Sequence, residues 1–112
     1  MVMRKRRGDR PDFVCPFCPI EMLSRWHFSD PETGLVICDD LNLTKHGHKH
    51  RLLCVYSGKH SRECWSREDD EMAKRKALLA ALAIQEEIGW IRFSWDYYMS
   101  IPQHYHIQMN LD

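Results

Sequence analysis

The chain has 112 residues, 44% hydrophobic and 29% charged, with 16 Lys+Arg balanced by 16 Asp+Glu. That describes one globular domain able to bury its own core, and four each of Trp, Tyr and Phe against five Gly and five Pro exclude collagen-like, coiled-coil and disordered classes. No window of about 18 uncharged apolar residues suggests a transmembrane span, and zero net charge argues against an overall polyanion-binding surface.

The odd set Cys15, Cys18, Cys38, Cys54 and Cys64 does not resemble the paired framework of a small secreted domain. A reducing, cytoplasmic setting is expected, with a nuclear one as the alternative. Residues 1–12 carry Arg4, Lys5, Arg6, Arg7 and Arg10 and continue into Pro11-Asp12-Phe13, not an apolar stretch, so they read as a basic flexible arm and not a secretory signal. A nucleic-acid contact or a nuclear address is the alternative use of that arm.

Residues 13–112 read as a single domain with no internal repeat. Cys15-Pro-Phe-Cys18-Pro-Ile20 forms a tight knuckle, because its prolines exclude a helix interior. Met22 to Phe28 is a short mixed segment, and Ser29 to Gly34 is dense in turn formers. Leu35 to Cys38 reads as a strand ended by Asp39-Asp40, and Thr44 to His50 as a polar loop. Arg51 to Tyr56 follows as a buried strand. Ser66 is the expected N-cap of a long helix running to Ile88, with negative charge over Glu68 to Glu71 and a stop at Gly89. Met72, Leu79, Leu82, Ala83 and either Leu78 or Ile84 recur at helical spacing and are predicted to face the core. Ile91 to Tyr97 alternates as a half-buried strand, and His104 to Met109 forms the last. The expected fold is therefore α+β, an antiparallel sheet of about five strands with one long helix packed on it.

In that last strand His104, His106 and Gln108 project to one face, and Tyr105, Ile107 and Met109 to the other. An imidazole in such a row can attack phosphorus while neighbouring donors hold the phosphate oxygens. A polar sheet face without catalysis is the alternative. Cys15 and Cys18 are spaced to share a zinc ion, which needs two further ligands, and His60 and His104 are the preferred ones. A redox pair is disfavoured because a charged arm precedes it and Pro19 follows. A stand-alone finger of Cys15, Cys18, His60 and Cys64 is disfavoured because its two pairs lie too far apart.

The Cys-x-x-Cys knuckle, the strand ending in Asp40-Leu41, Gly47-His48, the apolar strand closing on Lys59-His60, the helix and the terminal His104-x-His106-x-Gln108 together resemble the histidine-triad superfamily over about residues 13 to 112. Gln in place of the third His resembles the branch typified by galactose-1-phosphate uridylyltransferase and diadenosine tetraphosphate phosphorylases, and differs from aprataxin-like repair enzymes. The resemblance implies a nucleotide-binding hydrolase or nucleotidyltransferase in which His106 attacks the α-phosphate to form a nucleotidyl-histidine. A backbone carbonyl would fix the tautomer of His106, and Gln108 would hold a phosphate oxygen. It further implies a structural zinc on Cys15, Cys18, His60 and His104, a ribose contact at Asp40, and Phe17, Ile20 and Leu41 around the base. Ser100 stands in for a phosphate-loop residue, because the family's Gly-rich loop is replaced by residues 97–103.

The substrate would be a nucleotide, a dinucleoside polyphosphate or a nucleotide-sugar, and a homodimer is expected because the uridylyltransferase-type relatives combine two such units. The alternative from another class is a non-catalytic, zinc-stabilised binding module that contacts nucleic acid through the arm. Trp26, Trp65, Trp90 and Trp95 are read as core or interface residues. Cys38 and Cys54 read as buried small hydrophobes, and no partner spacing singles out His46, His48 or His50 as metal ligands.

Overall fold

The structure, a computed structural model, describes residues 24–40, 47–97 and 104–112. Its described part is α+β, as expected. Strands β1 (Trp26–Ser29), β2 (Leu35–Asp39), β3 (His50–Tyr56), β4 (Phe93–Tyr97) and β5 (His106–Leu111) form one antiparallel sheet in the order β1-β2-β3-β5-β4. Helix α1 (Arg67–Ala83), followed by the single turn α2 (Gln85–Ile88), links β3 to the far edge at β4, and β5 returns between them. Among the described residues no helix is long and apolar enough to cross a membrane.

Each element has a local cause. The β1–β2 turn is set by the Asp30 carboxylate, which accepts from the Glu32 N–H and the Thr33 hydroxyl. Gly34 closes the turn at φ +81°, where an added Cβ would lie 2.7 Å from the Ser57 carbonyl oxygen, so both the backbone and the space require glycine. Ser66 caps α1 as expected. Its hydroxyl accepts from the Asp69 N–H at 3.0 Å, and the Asp69 carboxylate accepts the Ser66 N–H at 2.9 Å and Lys59 Nζ at 2.6 Å. The helix ends sooner than Ile88: Ile84 leaves helical geometry and separates α1 from α2, and Gly89 at φ +75° ends the second piece.

The core lies between α1 and one face of the sheet. Leu35 and Ile37 of β2, Leu52, Cys54 and Tyr56 of β3, and Ile107, Met109 and Leu111 of β5 meet Ala73, Ala77, Ala80, Ala81 and Ile84, with Trp65 and Trp90 at the margins. The expected helix stripe is therefore corrected. Met72, Leu79 and Leu82 are 37%, 54% and 50% exposed and Ala83 is exposed, whereas Ile84 is buried and Leu78 half-buried. Two apolar stripes share helical spacing here, and the small one faces inward because the sheet supplies large side chains that leave room only for methyl groups. Trp65 and Trp90 are core residues, Trp95 packs on the core, and Trp26 is 39% exposed. Cys38 and Cys54 are buried as expected. Burial raises the Cys38 thiol to about 11 and pushes Cys54 up too, so both stay protonated at neutral pH.

Candidate functional site

Strand β5 sits between β3 and β4, so its side chains are covered by neighbouring strands on both flanks. The strand starts at His106 and runs to Leu111, not from His104 to Met109 as expected, but its alternation is the expected one. Ile107, Met109 and Leu111 enter the helix-side core, while His106, Gln108 and Asn110 lie on the opposite face in register with Val55, Leu53 and Arg51 of β3. From β4, Ser94 and Asp96 pair with Asn110 and Gln108.

Gln108 and Asn110 are buried, Asp96 is half-buried and Ser94 exposed, and hydrogen bonds connect them through Arg51 and Asp40. The Gln108 amide donates to Asp40 Oδ2 at 2.8 Å, and Arg51 Nη1 lies 3.6 Å from the same oxygen. Arg51 Nε donates to Asn110 Oδ1 at 2.8 Å, and the Asn110 amide donates to Ser94 Oγ and Asp96 Oδ2. One guanidinium thus lies between two carboxylates, Asp40 and Asp96, with two amides closing the circuit. Burying polar groups costs several kcal/mol, which the hydrogen bonds among them offset.

Two histidines, His104 and His106, are fixed by backbone carbonyls. The His106 Nδ1–H donates to the His104 carbonyl at 2.9 Å, which places the ring proton on Nδ1 and the lone pair on Nε2. Burial holds the pKa of His106 below the usual imidazole value, opposed by the His104 carbonyl and the Asp40 charge, so the ring is neutral at pH 7. The His104 Nε2–H donates to the Tyr56 carbonyl at 2.9 Å, which places the ring proton on Nε2. Burial, reinforced by His60 and His106 and opposed by that carbonyl, holds His104 at about 4. The exposed His60 ring lies 4.6 Å from the His104 ring, centroid to centroid, so two of the four anticipated zinc ligands are neighbours. Cys15 and Cys18 fall outside the described residues, as do Phe17, Ile20, Leu41 and Ser100.

Asp40 and Gln108 are adjacent, which sequence reasoning had not anticipated: it assigned one to a ribose and the other to a phosphate. In this structure they bond to each other. A second group was missed entirely. His27, Asp39 and His50 converge on the helix-bearing face, where β2 ends and β3 begins, and could hold a metal ion. Both imidazole Nε2 atoms lie on Asp39 Oδ1, at 2.7 Å from His27 and 2.8 Å from His50. The only hint in the sequence is that Asp39 continues the alternation Leu35, Ile37 and that His50 precedes Leu52, Cys54; the pairing of β2 with β3 is needed to bring them together.

Comparison with protein-family models, curated proteins and solved structures finds no match for this chain.

Proposed function

We propose that this protein is a nucleotide hydrolase or nucleotidyltransferase that works through covalent His106. The observation that carries the reading is the 2.9 Å bond from His106 Nδ1 to the carbonyl of His104, two residues before it in the chain. It holds the ring as a neutral nucleophile with Nε2 as the attacking atom. Nε2 donates its lone pair to the α-phosphorus, the bond to the leaving phosphoryl or sugar-phosphate oxygen breaks, and that oxygen departs with the electron pair. The Nδ1 proton stays on the ring, so the intermediate is an N-phosphorylated imidazolium, itself a good leaving group. Water, phosphate or a sugar phosphate then attacks the same phosphorus, and His106 returns neutral.

Gln108 supports this reading as an amide donor two residues along the same face; turning from Asp40 to a phosphate oxygen would give it the role that the histidine-triad resemblance implies. Asp40 is then released toward a ribose. A structural zinc on Cys15, Cys18, His60 and His104 is supported by the two ligands that are described, since the His60 and His104 rings lie side by side. Bound there, the ion would brace the strand that presents His106.

The test is phosphorus NMR of the purified protein with nucleoside phosphoramidates, dinucleoside polyphosphates and UDP-sugars, with and without phosphate, beside the His106→Ala variant. Turnover lost in the variant is the expected result and identifies the substrate class. Folded wild type that turns over none of the panel overturns the reading in favour of a zinc-stabilised binding module.

A further inference from the structure

The group His27, Asp39 and His50 is separate from the face that carries His106, and nothing in the proposed reaction uses it. Each residue comes from a different strand. His27 lies at the register shift in β1 between Trp26 and Phe28, which turns it toward Asp39. Asp39 is the last residue of β2 and His50 the first of β3. The three side chains are 7%, 11% and 10% exposed, so the group is largely desolvated. Nearby charges are already engaged elsewhere: Arg25 pairs with Glu87, and Lys49 donates to the Gly89 carbonyl.

We infer that His27 Nε2, His50 Nε2 and Asp39 Oδ1 form a binding site for a divalent cation of the zinc class, with at least one coordination position left to water. Two imidazoles and one carboxylate suit zinc, cobalt or ferrous ions better than calcium or magnesium, which prefer all-oxygen shells. The three donor atoms lie within 4.8 Å of one another. A tetrahedral ion at about 2.0–2.1 Å from each donor needs them about 3.3 Å apart, so the two hydrogen-bonded contacts open by roughly half an ångström to admit it. Each ring keeps one proton, which moves from Nε2 to Nδ1 by exchange with solvent, and the freed Nε2 lone pair binds the metal. Asp39 enters as the anion. The ion would tie β1, β2 and β3 together where the sheet runs out.

The test must separate this site from the cysteine-containing one. Full-length protein carrying Cys15→Ser with Cys18→Ser is stripped with a chelator and titrated with Co2+, then compared with the same background plus His50→Gln or Asp39→Asn. The expected result is uptake of one equivalent with visible d–d bands and no thiolate charge-transfer band, weakened by more than about a hundredfold in either added variant. Uptake unchanged by both added variants, or no uptake by the folded Cys15→Ser, Cys18→Ser background, overturns the inference. Should those variants not fold, nitrogen-15 histidine spectra of the wild type with Zn2+ decide it. Shifts of Nε2 in His27 and His50 are expected, and both resonances staying in place would overturn it.

Discussion

On the face covered by α1, β5 contributes Ile107, Met109 and Leu111 to an apolar core; on the other face the same strand contributes His106, Gln108 and Asn110 to a buried polar circuit with Arg51, Asp40 and Asp96. Both faces are dry, but different physics holds them. The apolar face gains free energy from every methylene removed from water, whatever its orientation. The polar face gains little net free energy from burial and persists only because each donor meets an acceptor in a fixed direction. A chain selected for stability alone could fill both faces with Val and Leu, as β2 and β3 do in part, so the polar filling of β5 is the departure from packing that the proposed reaction would explain.

Six substitutions break or sharpen that contrast. The largest expected effect is His106→Ala, which lowers turnover by at least about three orders of magnitude while the protein keeps its circular dichroism spectrum, because removing a nucleophile removes the covalent path. His106→Asn, which preserves more of the buried volume, is expected to be equally inactive. On the opposite face Ile107→Ala, at a fully buried position, should cost about 2–5 kcal/mol in urea unfolding, through lost transfer free energy and the cavity left behind. The remaining folded fraction should retain its catalytic rate.

The helix gives a finer test. Ala77 is fully buried against the sheet, so Ala77→Leu should destabilise by about 1–3 kcal/mol through overpacking, while Leu79→Ala, on the exposed stripe, should stay within about 0.5 kcal/mol. Thermal or urea denaturation measures both, and the reverse order would place the wrong stripe in the core. A smaller effect than that of Ala77→Leu is expected at the helix start. Desolvation raises the Asp69 pKa, but the bonds from Lys59 and from Ser66 outweigh it, so its carboxyl lies below the ordinary carboxylate value. Asp69→Ala should cost about 1 kcal/mol at neutral pH. Because the folded value is depressed, that contribution is full above the unfolded carboxylate pKa near 4 and disappears as pH falls through the folded value, so wild type and variant converge in acid.

Much of this was legible in the residues. Period-two alternation placed Ile107 and Met109 opposite His106 and Gln108, and Ser66 with acidic followers marked where α1 begins. What could not be read was any feature that depends on which of two equivalent patterns wins or on distant pairing. Leu79 and Ala80 are neighbours on a helix with apolar residues at both sets of spacings, and only the volume on the facing sheet decides between them. β1 was not expected as a strand because Trp26 to Ser29 is short and mixed in character; pairing with β2 makes it one. Asp39, His27 and His50 are separated in sequence by loops, so no spacing rule could join them. Arg51, a charged residue inside an apolar strand, was the overlooked sign that the second face holds a buried network.

The most direct measurement is intact mass of the protein quenched during turnover of whichever substrate the phosphorus NMR panel identifies, followed by peptide mapping in alkali, where phosphorus–nitrogen bonds survive. The account predicts one added nucleoside monophosphate on His106, absent from His106→Ala. Turnover that leaves His106 unmodified, or that continues in the variant, would contradict it.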